Sequence, residues 1–203
     1  MKRLLLTGFE PFLEHPINPT AEIVEQLTGK ELHQFHIIGE TLSVDFSKTG
    51  AQMIQFIKMH EPDAIISLGL AAGRKEVTVE RIAINCNDGP KDNRGYEPNG
   101  EKITEAGPDG YFSTLPIKAI VDQLHEKQLP ASISNSAGTY LCNHVMYQSL
   151  HYTKEHQLNC PTGFIHLPAN HTLALTKSMP SWSQEDLHRA VEVIIHSVSR
   201  MFS

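Results

Sequence analysis

Three side chains in this 203-residue chain combine types and surroundings suited to nucleophilic chemistry. Cys142 lies in Ser134-Asn135-Ser136-Ala137-Gly138-Thr139-Tyr140-Leu141-Cys142-Asn143-His144, where a strand pattern gives way to small residues and then to a helical pattern. Near a helix start, unpaired N–H groups and the peptide dipole favour a thiolate over a thiol. The same N–H groups can hold an oxyanion. The competing reading is a small buried hydrophobe, the common fate of a free cysteine. A nucleophilic thiol needs a base. His144 follows Cys142 by two positions, about 200° around a helix, and does not easily meet its sulfur. His166 closes the apolar run Phe164-Ile165-His166-Leu167-Pro168, at the strand end where α/β proteins gather ligands. A core histidine satisfied by backbone is the alternative there. Glu80 shares a strand face with Thr78, Ile82 and Ile84. A carboxylate on a buried face costs several kcal/mol unless paired, which leaves two kinds of partner. One is Arg74 or Arg81 in a structural ion pair; the other is an imidazole that the carboxylate orients. Cysteine, histidine and glutamate together form a complete acyl-transfer set. Spacing alone does not bring them together.

Other features are weaker. Gly69-Leu70-Ala71-Ala72-Gly73 lacks a Walker lysine and the dinucleotide spacing, and reads as a tight crossover that lets backbone approach a ligand. Phe9 and Phe12 lie after the first strand, either as caps on a core or as walls of an apolar slot for a flat ligand. Cys86 and Cys160 read as inert.

Alternating elements must carry these groups. Leu4–Thr7, Phe35–Leu42, Ala64–Leu68, Val77–Asn85, Ala131–Ser134 and Gly163–Leu167 read as strands. Helical patterns run from Pro19, behind an Asn18 cap, to Leu27, and from Asp45 to about Met59. Others open at Pro116, at Tyr140 and behind a Ser183/Asp186 capping box. Residues 86–111 hold five Gly and three Pro and read as a long irregular loop, the kind that serves as a lid, binding loop or partner contact. The expected architecture is one α/β domain over residues 1–203, three αβα layers around a largely parallel twisted sheet. Net charge of −6 argues against nucleic acid or an anionic membrane as partner. Three cysteines, no CxxC, no signal-peptide pattern and no long apolar span point to the cytoplasm.

With those residues in view, the chain resembles the pyroglutamyl-peptidase I (pyrrolidone-carboxylate peptidase) family. Gly69-Leu70-Ala71-Ala72 with Val77-Thr78-Val79-Glu80-Arg81-Ile82-Ala83-Ile84-Asn85 is similar to its glutamate signature, and residues 134–143 to its cysteine signature. Gly163-Phe164-Ile165-His166-Leu167-Pro168 is similar to its histidine strand, and Leu6-Thr7-Gly8-Phe9-Glu10-Pro11-Phe12 with Asn18-Pro19 to its opening. The resemblance implies a cysteine exopeptidase acting on peptides with an N-terminal pyroglutamate. Cys142 is then the nucleophile, His166 the base and later the acid, and Glu80 the partner of His166. It also implies an aromatic pocket at Phe9 and Phe12, with backbone groups at Leu70 and Leu141 contacting the lactam. Homo-oligomers, commonly tetramers, follow from it too, and no metal or cofactor is expected. Leu70 stands where the family usually has Gln, and Asp88–Asn93 is shorter than the family's segment and lacks its arginine. Three alternatives stay open: a pyroglutamyl-binding homologue with a silent triad, a phosphorylase-like transferase using residues 69–73, and a metal hydrolase using His166, His171 and a carboxylate.

Overall fold

Leu4-Leu5-Leu6 and Ala64-Ile65-Ile66 have no polar side because the strands they form are covered on both faces. A computed structural model describes residues 1–12, 15–175 and 177–202. Strands β1 (Lys2–Phe9), β2 (Glu31–Leu32), β3 (Phe35–Leu42), β4 (Ala64–Leu70) and β5 (Val77–Glu80) alternate with helices α1 (Pro19–Leu27) and α2 (Thr49–His60). Short strands β6 (Ile82–Ile84), β7 (Asn87–Asp88), β8 (Asn99–Glu101) and β9 (Gly110–Phe112) follow. The chain continues through α3 (Ile117–Glu126), β10 (Ala131–Ser134), α4 (Leu141–Glu155) and β11 (Thr162–Leu167). It ends with β12 (Ala169–Asn170), α5 (His171–Ala174), β13 (Ser181–Trp182) and α6 (Gln184–Ser199).

Seven strands make the central sheet, in the order β10-β5-β11-β4-β1-β3-β2. Neighbours run parallel except β2 with β3 and β5 with β11. Strand β5 matters most: it runs parallel to β10 but antiparallel to β11, and so brings Glu80 beside the end of β11.

Side-chain alternation sorts the sheet into two faces. Leu4, Leu6, Ile66, Leu68, Val77, Val79, Ile165 and Leu167 pack against α1, α3 and α6. Leu5, Phe9, Ile65 and Phe164 pack against α2 and α4. Glu80 and His166 share the parity of this second face, so both point toward α4. The αβα layering expected above is what the chain adopts.

Local signals fix most boundaries. Asn18 Oδ1 accepts from the Thr20 amide at 3.1 Å, and Pro19 follows as the first helical residue. Ser183 Oγ accepts from the Asp186 amide at 3.0 Å and donates to its carboxylate at 2.9 Å. Helix α2 starts at Thr49 rather than Asp45, because residues 45–48 form a turn in which Ser47 N donates to Asp45 Oδ1 at 2.9 Å.

Two sequence expectations need correction. The strand read over Val77–Asn85 breaks at Arg81: β5 stays in the main sheet, while β6 leaves it and pairs antiparallel with β9. Glu80 therefore does not share a continuous face with Ile82 and Ile84, and Ile84 is exposed. Residues 86–111 are not an irregular loop throughout. They hold a β7–β8 hairpin, and their main turn is pinned by buried Asp92, whose carboxylate accepts from the amides of Phe46, Arg94 and Tyr96 at 2.9–3.0 Å.

Candidate active site

The site grows from the second sheet face. In the β11–β5 ladder His166 lies opposite Thr78 and Ile165 opposite Val79, so Glu80 is the diagonal same-face neighbour of His166. That geometry closes a hydrogen bond of 2.7 Å between His166 Nδ1 and Glu80 Oε1, across 86 residues of sequence. Glu80 is fully buried. Burial pushes its carboxyl toward the neutral acid, but the hydrogen bond and charge of His166 and the hydrogen bond from Arg74 outweigh that and hold it below its ordinary range. An ionised carboxylate only accepts, so Nδ1 carries the proton. The lone pair at Nε2 is then left for base chemistry.

Arg74 meets the same oxygen, with Nη1 2.7 Å from Glu80 Oε1, and it also donates to Thr78 Oγ1. Both partners considered for Glu80 from sequence are therefore present at once. Arg81 is not one of them; its Nε donates to Asn135 Oδ1 at 2.7 Å.

Cys142 enters from above the face. It is the second residue of α4, and Tyr140 makes no side-chain cap there. The first turn therefore keeps N–H groups without side-chain partners. The sulfur rests over Gly69 of β4, where an added Cβ would stand 3.0 Å from Sγ and 2.7 Å from Phe164 Cε1. Gly69 is the register partner of His166. Thiol and imidazole thus stand over adjacent strands at one register position, with no direct hydrogen bond between them among the described residues. Burial, with the Glu80 charge adding to it, pushes the thiol up to about 12 against the opposing pull of Arg74. In the resting site the sulfur keeps its proton and needs a base to remove it.

Gly69, the first residue of the run expected to form a tight crossover, lies inside β4, where it lets a sulfur and an aromatic ring approach the strand. Gly69→Ala should push Phe164 and Sγ off their seats. We expect kcat/KM to fall about 100-fold and Tm by several degrees, from about 1–3 kcal/mol of overpacking. Steady-state kinetics and a thermal melt check both.

The remaining sequence candidates spread around this centre. Phe9 is buried at the end of β1, its ring 6.3 Å from that of Phe164, so it lies on the face that carries His166. Phe12 is partly buried and touches both the second core and a small cluster of Leu70, Ala169 and Leu173. Leu141 is buried at the start of α4 and Leu70 at the end of β4. His144 stays out of the site: its ring faces Asn87 Oδ1 at 2.9 Å, and burial pulls it down to about 4. His171 pairs with Ser181 Oγ at 3.0 Å, and the described residues hold no cluster of three or more metal-binding side chains.

Asn143 is a supporting residue that sequence reasoning missed. Its buried amide accepts from Ile84 N at 2.8 Å and donates to the carbonyls of Ile84 and Cys86 at 2.9 and 3.0 Å. It ties the strand that leaves the sheet after Glu80 to the helix that carries Cys142. The signal lay in its place beside the cysteine, but its partners are set only by the detour of β6.

The family model described as pyroglutamyl peptidase matches residues 2–201. A pyrrolidone-carboxylate peptidase of Oceanobacillus iheyensis is 58% identical over 195 residues, covering 96% of this chain and 98% of the relative. One from Thermococcus kodakarensis is 42% identical over 197 residues, covering 97% and 95%. The solved pyrrolidone carboxyl peptidase from Thermococcus litoralis superposes with a TM-score of 0.95 at 37% identity, covering 100% of this chain and 95% of that one. The crystal structure of Bacillus amyloliquefaciens pyroglutamyl peptidase I gives the same TM-score and identity, with 98% of each chain covered.

Proposed function

The chain belongs to the pyroglutamyl peptidase family, and on that premise we propose that Cys142, His166 and Glu80 are the triad of its reaction. The enzyme is a cysteine exopeptidase that hydrolyses the amide bond after an N-terminal pyroglutamate through a thioester. The observation that carries the residue assignment is the 2.7 Å Nδ1–Oε1 bond, on the sheet face over which Cys142 sits.

His166 Nε2 takes the thiol proton as sulfur attacks the pyroglutamyl carbonyl. Glu80 stabilises the imidazolium that forms. The free amides at the start of α4, including that of Cys142, hold the oxyanion. The imidazolium then protonates the departing amine, and the neutral ring activates water against the thioester. Phe9 and Phe12 wall the lactam, with backbone of Leu70 and Leu141 contacting it. Pyroglutamate carries neither ammonium nor side-chain charge, so such a slot admits it and rejects a free glutamine terminus, which would bury an unpaired cation.

The same reading treats residues 1–203 as one domain that works in the cytoplasm as a homo-oligomer, a tetramer by family likeness. No helix among the described residues is long and apolar enough to cross a membrane. The test is hydrolysis of a pyroglutamyl anilide beside a glutaminyl anilide in reductant. Turnover of the first alone, stopped by iodoacetamide with the label on Cys142, is expected. Equal turnover of both, or full activity with Cys142 labelled, contradicts the reading.

A further inference from the structure

Two cationic or cation-forming donors converge on one oxygen of Glu80, while the other oxygen has none. His166 Nδ1 and Arg74 Nη1 each stand 2.7 Å from Oε1. Oε2 is buried and without a hydrogen-bond partner among the described residues. The hydroxyl of Ser134, the register partner of Glu80, donates to the Ser136 carbonyl at 3.0 Å. A buried carboxylate so thinly supported would readily become neutral if its second charged donor were lost. Arg74 itself is held on three sides: by Glu80, by Thr78, and through its amide by the Ala71 carbonyl at 2.9 Å. It closes the short crossover between the strand under the sulfur and the strand that bears Glu80.

We propose that Arg74 is a positioning residue for the reaction: sharing Oε1 with His166, it keeps Glu80 ionised and aimed at Nδ1 and opposes a second positive charge on the imidazole before substrate arrives. This rests on the triad assignment above. The charged and titratable groups facing the pair are few. Cys142, which interacts with both Glu80 and Arg74, comes from the start of α4 and Arg74 from the crossover, while Arg81 is engaged elsewhere by Asn135. Arg74 is thus the one fixed cation among these groups, and its charge bears directly on when the imidazole takes a proton. Its side chain is one-third exposed, at 33%, so water tempers its field without removing it.

The sign follows from the charge. Without the guanidinium, protonating the His166–Glu80 pair becomes easier, so the protonated and inactive form persists to higher pH. The experiment is the pH profile of kcat/KM on a pyroglutamyl anilide for wild type, Arg74→Gln and Arg74→Lys, each checked for folding by circular dichroism. For R74Q the acid limb should move up by about half to one pH unit and the plateau fall about tenfold. R74K keeps the charge but not the planar fork, so its limb should stay with wild type while its plateau drops severalfold. An R74Q limb at the wild-type position, whatever its plateau, makes Arg74 merely structural and overturns the proposal. If R74Q does not fold, R74K decides alone: a limb displaced despite retained charge overturns it, and one that stays with a lowered plateau supports it. Activity surviving in Cys142→Ser would instead defeat the triad reading, whatever Arg74 does.

Discussion

Cys142→Ala should lower turnover of a pyroglutamyl anilide by at least about 10⁴-fold, to the level of the uncatalysed reaction plus whatever binding and the α4 amides supply. The size of the effect follows from what the sulfur alone can do. Glu80 and His166 are already bonded to each other through Nδ1, but an imidazole with no thiol beside it forms no acyl intermediate. Cys142→Ser should fare little better. An oxygen is smaller than sulfur and its shorter bond draws it back toward α4, while an alcohol is far harder to deprotonate than a thiol. Stability should change little in either variant, because the half-buried side chain loses only a few contacts over Gly69 and Phe164. A fall in rate with Tm within a few degrees of wild type therefore separates chemistry from folding. Wild-type turnover in the alanine variant would end the assignment.

The residues of this site were legible to different degrees, for reasons that lie in the fold. His166 stood out because it is the polar residue in an otherwise apolar strand end, and β11 is a central strand. Glu80 stood out because Thr78 and Glu80 alternate with Val77 and Val79, and the sheet keeps that alternation. The same period misled just beyond it. Ile82 and Ile84 alternate equally well in a hairpin with β9, so nothing local marks Arg81 as the point where the chain leaves the main sheet. The meeting of Glu80 with His166 was implied by the family resemblance, but by no local pattern in the chain. It depends on β5 pairing antiparallel with β11 on one side and parallel with β10 on the other, a choice made by contacts remote in sequence. Arg74 was visible as a possible partner, but only as a rival to the imidazole; that one oxygen serves both required the diagonal register. Gly69 and Asn143 show the same limit, since each answers a neighbour that folding supplies.

Glu80→Ala should damage both activity and stability, and the comparison with Glu80→Gln tells why. Removing the carboxylate leaves Arg74 and the Nδ1–H of His166 facing each other across a dry gap. The expected cost in stability is about 3–5 kcal/mol at neutral pH, the range for breaking one side of a buried ion pair. Glutamine fills the space, so it should recover part of that loss. It should not recover the rate. Its amide can present N–H to Nδ1, which moves the ring proton to Nε2 and disables the base, as loss of about 10³–10⁴-fold in kcat would register. The pH dependence of the stability gap has a fixed sign. The Glu80 carboxyl is held below its ordinary value of 4.5 in the folded protein. Its contribution is therefore fully present above the unfolded-state value and fades as pH falls through the lower folded-state value. Urea melts of wild type and Glu80→Gln should show a wide, flat gap from neutral pH down to about 5 that closes only in more acid solution. A gap that instead widened as pH fell would mean that Glu80 is held neutral in the fold. An acid in that state could orient His166 only as a hydrogen-bond partner, and the base at Nε2 would have no carboxylate behind it when the imidazolium forms.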